Sequence, residues 1–158
     1  MKKIVIGADI SGFELKGFVE SYLQGIGYEV LDVGTKKAEA PVDYWTVGFN
    51  VGKAVWSGEF DRGIVICGTG QGVALAANKF PGVYCGLCES VYAVDRGRTF
   101  NNINVLALGG FLQGKGLAQE MIDTFLNTEW KQGVDADTAV LLEDAYEAMK
   151  EHEKAMFK

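Results

Sequence analysis

Histidine, cysteine and arginine are scarce in this chain, and each shortage narrows its chemistry. His152 is the only histidine among 158 residues, and the three cysteines are an odd number. An odd count without an export signal points to reduced thiols rather than a disulfide framework. Cys85 and Cys88 form a C-x-x-C, but no second pair or nearby histidine accompanies it, so a zinc site is not expected. In a strand-like run the two would face opposite sides of a sheet, as structural residues. Arginine occurs only at Arg62, Arg96 and Arg98, and none follows. Basic residues number 15 against 21 acidic ones, for a net charge of −6. That balance argues against nucleic acid or an anionic membrane as partner. No apolar run approaches the ~18–20 residues that span a bilayer. Met1-Lys2-Lys3 leads into only five apolar or small residues before Asp9, too short for a secretory signal. The expected location is cytoplasmic.

What is present is a regular alternation. Hydrophobic residues make up 48% and charged residues 23%, the balance of a soluble globular protein. Linkers, repeats and low-complexity tracts are missing, so residues 1–158 read as a single domain. Lys3–Ala8, Glu29–Val33, Gly63–Ile66, Val83–Cys88 and Val105–Leu108 read as strands, near-continuous apolar runs suited to a parallel sheet covered on both faces. Leu15, Phe18, Val19, Tyr22, Leu23 and Ile26 form one helical stripe, ended by Gly25 and Gly27. Tyr44–Trp56, Val73–Lys79, Ser90–Arg98 and Gly116–Leu126 read as further helices. The order predicts an α/β fold: a doubly wound, Rossmann-like, open five-stranded parallel sheet with helices on both faces. A last helix over about 136–156, capped by Asp135 or Asp137, has no following strand. It is expected to pack outside the sheet or on a partner subunit.

The most informative segment is Cys67-Gly68-Thr69-Gly70-Gln71-Gly72, directly after the apolar run Gly63–Ile66. A strand ending in a thiol and a glycine-rich turn can bring a proton carrier to several backbone N–H groups. The sequence fits neither a Walker A loop nor G-x-G-x-x-G, which disfavours a nucleotide. Ligands of open α/β sheets bind outside the carboxyl ends of the strands. Asp9, with Ser11 and Gly12, follows the first strand, and Cys67 and Thr69 follow the third. The segment Arg96–Asn102 reads as a loop into the fifth strand, and its guanidiniums and amides are expected to join the same cleft. Plainer readings stand beside each: Asp9 as a helix cap, Cys67 as a core thiol, Thr69 as a turn stabiliser, Arg96 and Arg98 as solvated cations.

Together these residues resemble the family of ribose-5-phosphate isomerase B and the galactose-6-phosphate isomerase subunits. The likeness runs from Lys3 to about Trp130. It rests on Gly7-Ala8-Asp9-x-x-Gly12-Phe13-Glu14-Leu15-Lys16, Asp32-x-Gly34-Thr35, Asp43-Tyr44, Ile66-Cys67-Gly68-Thr69-Gly70-x-Gly72, Ala76-Ala77-Asn78-Lys79 and Asn104–Gly109. The resemblance implies an aldose–ketose isomerase without metal or organic cofactor, acting on a sugar or sugar phosphate. It implies a homodimer or homotetramer with active sites at the subunit interface. The cysteine matched by Cys67 moves a proton between C1 and C2, and the turn Gly68–Gly72 with Thr69 steadies a cis-enediolate. Asp9, Ser11, Tyr44, Gln71, Arg98, Phe100 and Asn101 fall among the implied catalytic and binding positions.

The departures point to a different substrate. Family histidines are replaced by Ile10 and Phe100. An arginine that grips phosphate in the family is Phe111 here, and the region of its C-terminal arginine pair holds Val134 and no arginine. Loss of imidazoles removes the side chain best matched to ring opening near neutral pH. Loss of guanidinium forks removes the strongest grip on a phosphate dianion. The cysteine turn is intact, so the expected substrate is not ribose 5-phosphate. It is open-chain, such as a tetrose 4-phosphate whose O4 is blocked, or unphosphorylated. Arg96, Arg98 and Lys16 are the candidates for an anionic group. Two other functions compete: a non-catalytic or co-catalytic subunit of a heteromeric isomerase, and a sugar-binding module that has lost the chemistry.

Overall fold

Side chains of unequal size on alternate strand positions divide the core in two. Large residues, Ile4, Ile6, Ile64, Ile66, Leu106 and Leu108, point to one face of the sheet. Smaller ones, Val5, Val65, Cys67, Val105 and Ala107, point to the other. Strand side chains alternate in this way with a period of two. The computed structural model describes residues 2–157. Its elements are β1 (Lys2–Ala8), α1 (Phe13–Gly25), β2 (Tyr28–Asp32), α2 (Tyr44–Trp56), β3 (Gly63–Cys67), α3 (Gln71–Ala77), β4 (Cys85–Leu87), α4 (Val91–Asn101), β5 (Val105–Gly109), α5 (Lys115–Asn127) and α6 (Ala136–Met156). The five strands form one sheet in the order β2-β1-β3-β5-β4. Every pairing is parallel.

Helices α1, α4 and α5 cover the large-residue face through Leu15, Val19, Val94, Met121, Ile122 and Phe125. Helices α2 and α3 cover the other through Val47, Val51, Val73 and Ala77. The chain therefore leaves β1 toward one face and β3 toward the opposite face, although the two strands are neighbours. This reversal opens a crevice at their carboxyl ends, where ligands of such sheets bind. All five residues of β3 are buried, so Cys67 is delivered to that crevice by a rigid element.

Two local readings need correction, and a third is narrowed to one of its alternatives. First, β4 is only Cys85–Leu87, because it pairs with β5 alone at the sheet edge and Val83 is engaged in a turn to Phe80. Second, Arg96–Asn101 is the final part of α4, not a loop. Ser90 caps the helix through Ala93 N–H, and Asn102, at φ 51, ends it in the left-handed conformation. Third, the choice of cap for the last helix falls on Asp135, whose carboxylate accepts the Thr138 N–H at 2.9 Å.

Helix α6 buries none of its residues. It lies outside the sheet, with the Tyr146 ring 4.9 Å from Trp130 and 5.5 Å from Tyr84. Glu153 accepts the Gly82 N–H at 2.9 Å. Cys85 and Cys88 serve opposite halves of the core, as the strand pattern predicts. Among the described residues, no helix is long and apolar enough to cross a membrane.

Candidate active site

The turn after β3 is shaped by what touches each glycine. Gly70 has φ 82, a left-handed conformation that L side chains rarely adopt. This fold-back aims the Gly70 N–H at the Cys67 sulfur, 3.1 Å away. A Cβ on Gly68 would stand 2.6 Å from the Phe111 ring, and one on Gly72 would stand 2.6 Å from the Tyr44 ring. Two aromatic rings thus flank the turn, one from the segment after β5 and one from the start of α2. Main-chain bonds fix the first of these: Gly110 N–H donates to the Cys67 carbonyl at 2.7 Å, and Phe111 N–H to the Gly68 carbonyl at 3.0 Å. Buried Gln113 accepts the Gly109 N–H at 2.6 Å and holds that segment in place.

Asp9 stands across the crevice at the end of β1. Its N–H donates to the Ile66 carbonyl at 3.3 Å, which ties it to the strand that carries Cys67. One carboxylate oxygen accepts the Gly12 N–H at 3.0 Å and so opens α1. Ser11 is half-buried in the same turn, while Thr69 and Gln71 are exposed at the rim. Cys67 itself is 6% exposed. Asp9, Ser11, Tyr44, Cys67, Gly68, Thr69, Gly70, Gln71 and Gly72 all lie at this carboxyl end. The fold thus brings a thiol, a carboxylate, hydroxyls and backbone N–H groups to the same end of the sheet.

Arg98, Phe100 and Asn101 do not join them. They occupy the last turns of α4, which runs back to the amino end of β5, the opposite end of the sheet. Arg98 is buried there, donating to the carbonyls of Ile103 and Thr128 and to the Asn102 side chain. Burial, with the neighbouring Arg62, pulls its guanidinium down to about 10. A residue that precedes a parallel strand must lie at that strand's amino end, so convergence of these groups with Cys67 inside one chain is ruled out. Arg96 pairs with Asp95 and stacks on Phe100 at 5.0 Å. Lys16 is also committed, its ammonium held by the Asp32 carboxylate at 2.5 Å and by the Thr35 carbonyl.

That buried Lys16–Asp32 pair was not expected from sequence. The Asp32 side chain is 5% exposed and also accepts the Gly34 N–H at 2.9 Å and pairs with Lys36 at 3.1 Å. Burial alone would raise its pKa, but the Lys16, Gly34 and Lys36 donors outweigh burial and hold it below the ordinary carboxylate range. Sequence marks Phe111 as an arginine replaced, whereas the structure makes its ring a flank of the Cys67 turn. His152 is exposed on α6, away from the turn. Among the described residues, no group of three histidine, cysteine or acidic side chains is placed to hold a metal.

Comparison with known proteins bears on this arrangement. Residues 4–140 match the Ribose/Galactose Isomerase family. The chain belongs to that family. The family match spans the Asp9 turn, the Cys67 turn and the Phe111 segment. A 4-deoxy-4-sulfo-D-erythrose isomerase of Clostridium sp. (strain MSTE9) is 45% identical over 82% of this chain and 86% of its own length. A D-erythrulose-4-phosphate isomerase of Pectobacterium atrosepticum is 37% identical over 86% of this chain and 90% of its own. Among solved structures, ribose-5-phosphate isomerase B of Clostridium thermocellum aligns with a TM-score of 0.83 at 43% identity, covering 95% of this chain and 99% of that one. The Ribose/Galactose Isomerase fold and the doubly wound sheet are therefore one architecture.

Proposed function

We propose that this protein is an aldose–ketose isomerase for a short, open-chain sugar carrying an anionic group on its terminal carbon. The observation that carries the reading is the Cys67 sulfur lying 3.1 Å from the Gly70 N–H inside a glycine turn, with Asp9 across the crevice. The Cys67 thiolate takes the proton from C2 of the aldose, and the C–H electron pair becomes the double bond of a cis-enediol(ate). The same sulfur, whose proton exchanges with solvent, delivers a proton to C1 or back to C2, and formation of the ketose passes the proton on O2 to O1. No external oxidant or reductant enters. Backbone N–H groups of the turn and the Thr69 hydroxyl stabilise the developing oxyanion, and Asp9 and Tyr44 hold substrate hydroxyls.

The substrate class follows from the side chains at the site. Ile10 and Phe111 stand at its rim, and no imidazole lies beside the turn among the described residues. A sugar that must first open a ring has no good acid–base partner there. Relatives named for four-carbon sugars with blocked C4 support this choice. Phe100 and Asn101, at the far end of their own sheet, serve the site of a second copy in a homodimer or larger assembly. No metal or organic cofactor takes part in the proposed steps.

Turnover by the purified chain tests the reading. Tetroses with a sulfonate or phosphate at C4 are expected to isomerise with kcat/KM at least about tenfold above that for ribose 5-phosphate. Preference for the pentose phosphate would contradict the substrate class. Inactivity that is relieved only by adding a homologous chain would instead support a heteromeric subunit.

A further inference from the structure

The rim of the Cys67 turn carries exposed apolar side chains. The Phe111 ring packs against Gly68, yet Phe111 is 73% exposed. The adjacent Gly110 lies tight on the first turn of the crevice, since a Cβ there would stand 2.6 Å from the Ser11 carbonyl oxygen. The Phe111 segment and the Ile10–Ser11 turn are thus neighbours, and Ile10 is 48% exposed and Leu112 51%. Within one chain, the cations that the sequence suggested for this place are engaged elsewhere: Lys16 with Asp32, Arg96 with Asp95, and Arg98 with the Ile103 carbonyl at the opposite end of the sheet.

From this we infer that Phe111, supported by Ile10, is a specificity-determining residue that selects a singly charged, sulfonate-type group at the substrate's terminal carbon over a phosphate dianion. The inference rests on the isomerase reading of the site. A phosphate monoester near pH 7.5 carries nearly two charges and is strongly hydrated, so it binds well only where guanidinium or ammonium groups replace its water. An aromatic face presents negative potential and offers no donor, so a dianion set against it loses hydration without compensation. A sulfonate spreads one charge over three oxygens and takes no second proton or charge. Backbone N–H groups at the rim suffice for it, while the carbon chain lies against the ring.

The test compares kcat/KM for 4-deoxy-4-sulfo-D-erythrose and D-erythrose 4-phosphate in the wild type, Phe111→Leu and Phe111→Arg. The ratio of the two substrates is read at pH 7.5 and pH 5.5. Wild type should favour the sulfonate by about tenfold or more at pH 7.5, and the ratio should shrink at pH 5.5 as the phosphate, with a second pKa of about 6, gains its proton. Phe111→Leu should keep the preference, and Phe111→Arg should move it at least about tenfold toward the phosphate. Because Phe111 is largely exposed, these variants are not expected to disturb the core. Equal turnover of both tetroses by wild type, or a Phe111→Arg variant that changes both alike, would overturn the inference while leaving the isomerase reading in place. Turnover of neither tetrose would remove the reading and this inference with it.

Discussion

Three thiols of one chain are set apart by their surroundings. Cys85 and Cys88 sit in the two halves of the hydrophobic core, and burial pushes both thiols up, Cys88 to about 11 and Cys85 further. The cause in each case is first the loss of hydration by the thiolate. Cys67 shares a core half with Cys85 but ends its strand at the glycine turn, where a backbone N–H faces its sulfur. Limited alkylation with iodoacetamide at pH 8 should therefore label Cys67 before the other two, as read by peptide mapping. Earlier labelling of Cys85 or Cys88 would contradict the assignment. The sequence already singled out Cys67, because a thiol followed by three alternating glycines is a local pattern. It misplaced Arg98, because whether a guanidinium faces a cleft or buries itself under α5 depends on contacts with Thr128 and Ile103 that no local pattern records.

Elements hold these residues where they are needed. Helix α1 begins at the Asp9 turn, and Lys16, one turn further on, anchors it to the end of β2 through Asp32 and Thr35. Removing one partner of a buried ion pair leaves an uncompensated charge and costs about 3–5 kcal/mol. Lys16→Met should lower the urea midpoint accordingly; a loss of less than about 1 kcal/mol would show that the pair is not structural. The acid limb offers an independent check. Asp32 has a folded pKa below its unfolded value, so its contribution is full above about pH 4 and is lost as pH falls through the lower folded value. Wild type should thus lose stability below about pH 4 more steeply than Asp32→Asn. Helix α2 was legible residue for residue, because its apolar stripe and its start after Asp43 are local signals. The reach of α4 was not, since Gly97 and the polar run to Asn101 resemble a loop, and it is packing against α5 that supports them as helix.

For the molecule as a whole, chain direction decides which residues can meet. All five strands run one way, so every segment that follows a strand lies at one end and every segment that precedes one lies at the other. Asp9, Cys67 and Phe111 follow strands, whereas Arg98 and Asn101 precede one. Most of the expected site residues accordingly lie at one end of a single chain, and the proposed function assigns Phe100 and Asn101 to the site of a second copy. The central claim, that the Cys67 sulfur carries the proton between two carbons beneath the glycine turn, is tested most directly by hydrogen exchange at C2. A C4-sulfonated tetrose incubated in D2O with wild type should take up deuterium at C2, followed by mass spectrometry or NMR. Cys67→Ser, folded as judged by its unfolding transition, should abolish that exchange while still binding the sugar. Exchange at an undiminished rate in Cys67→Ser would contradict the account.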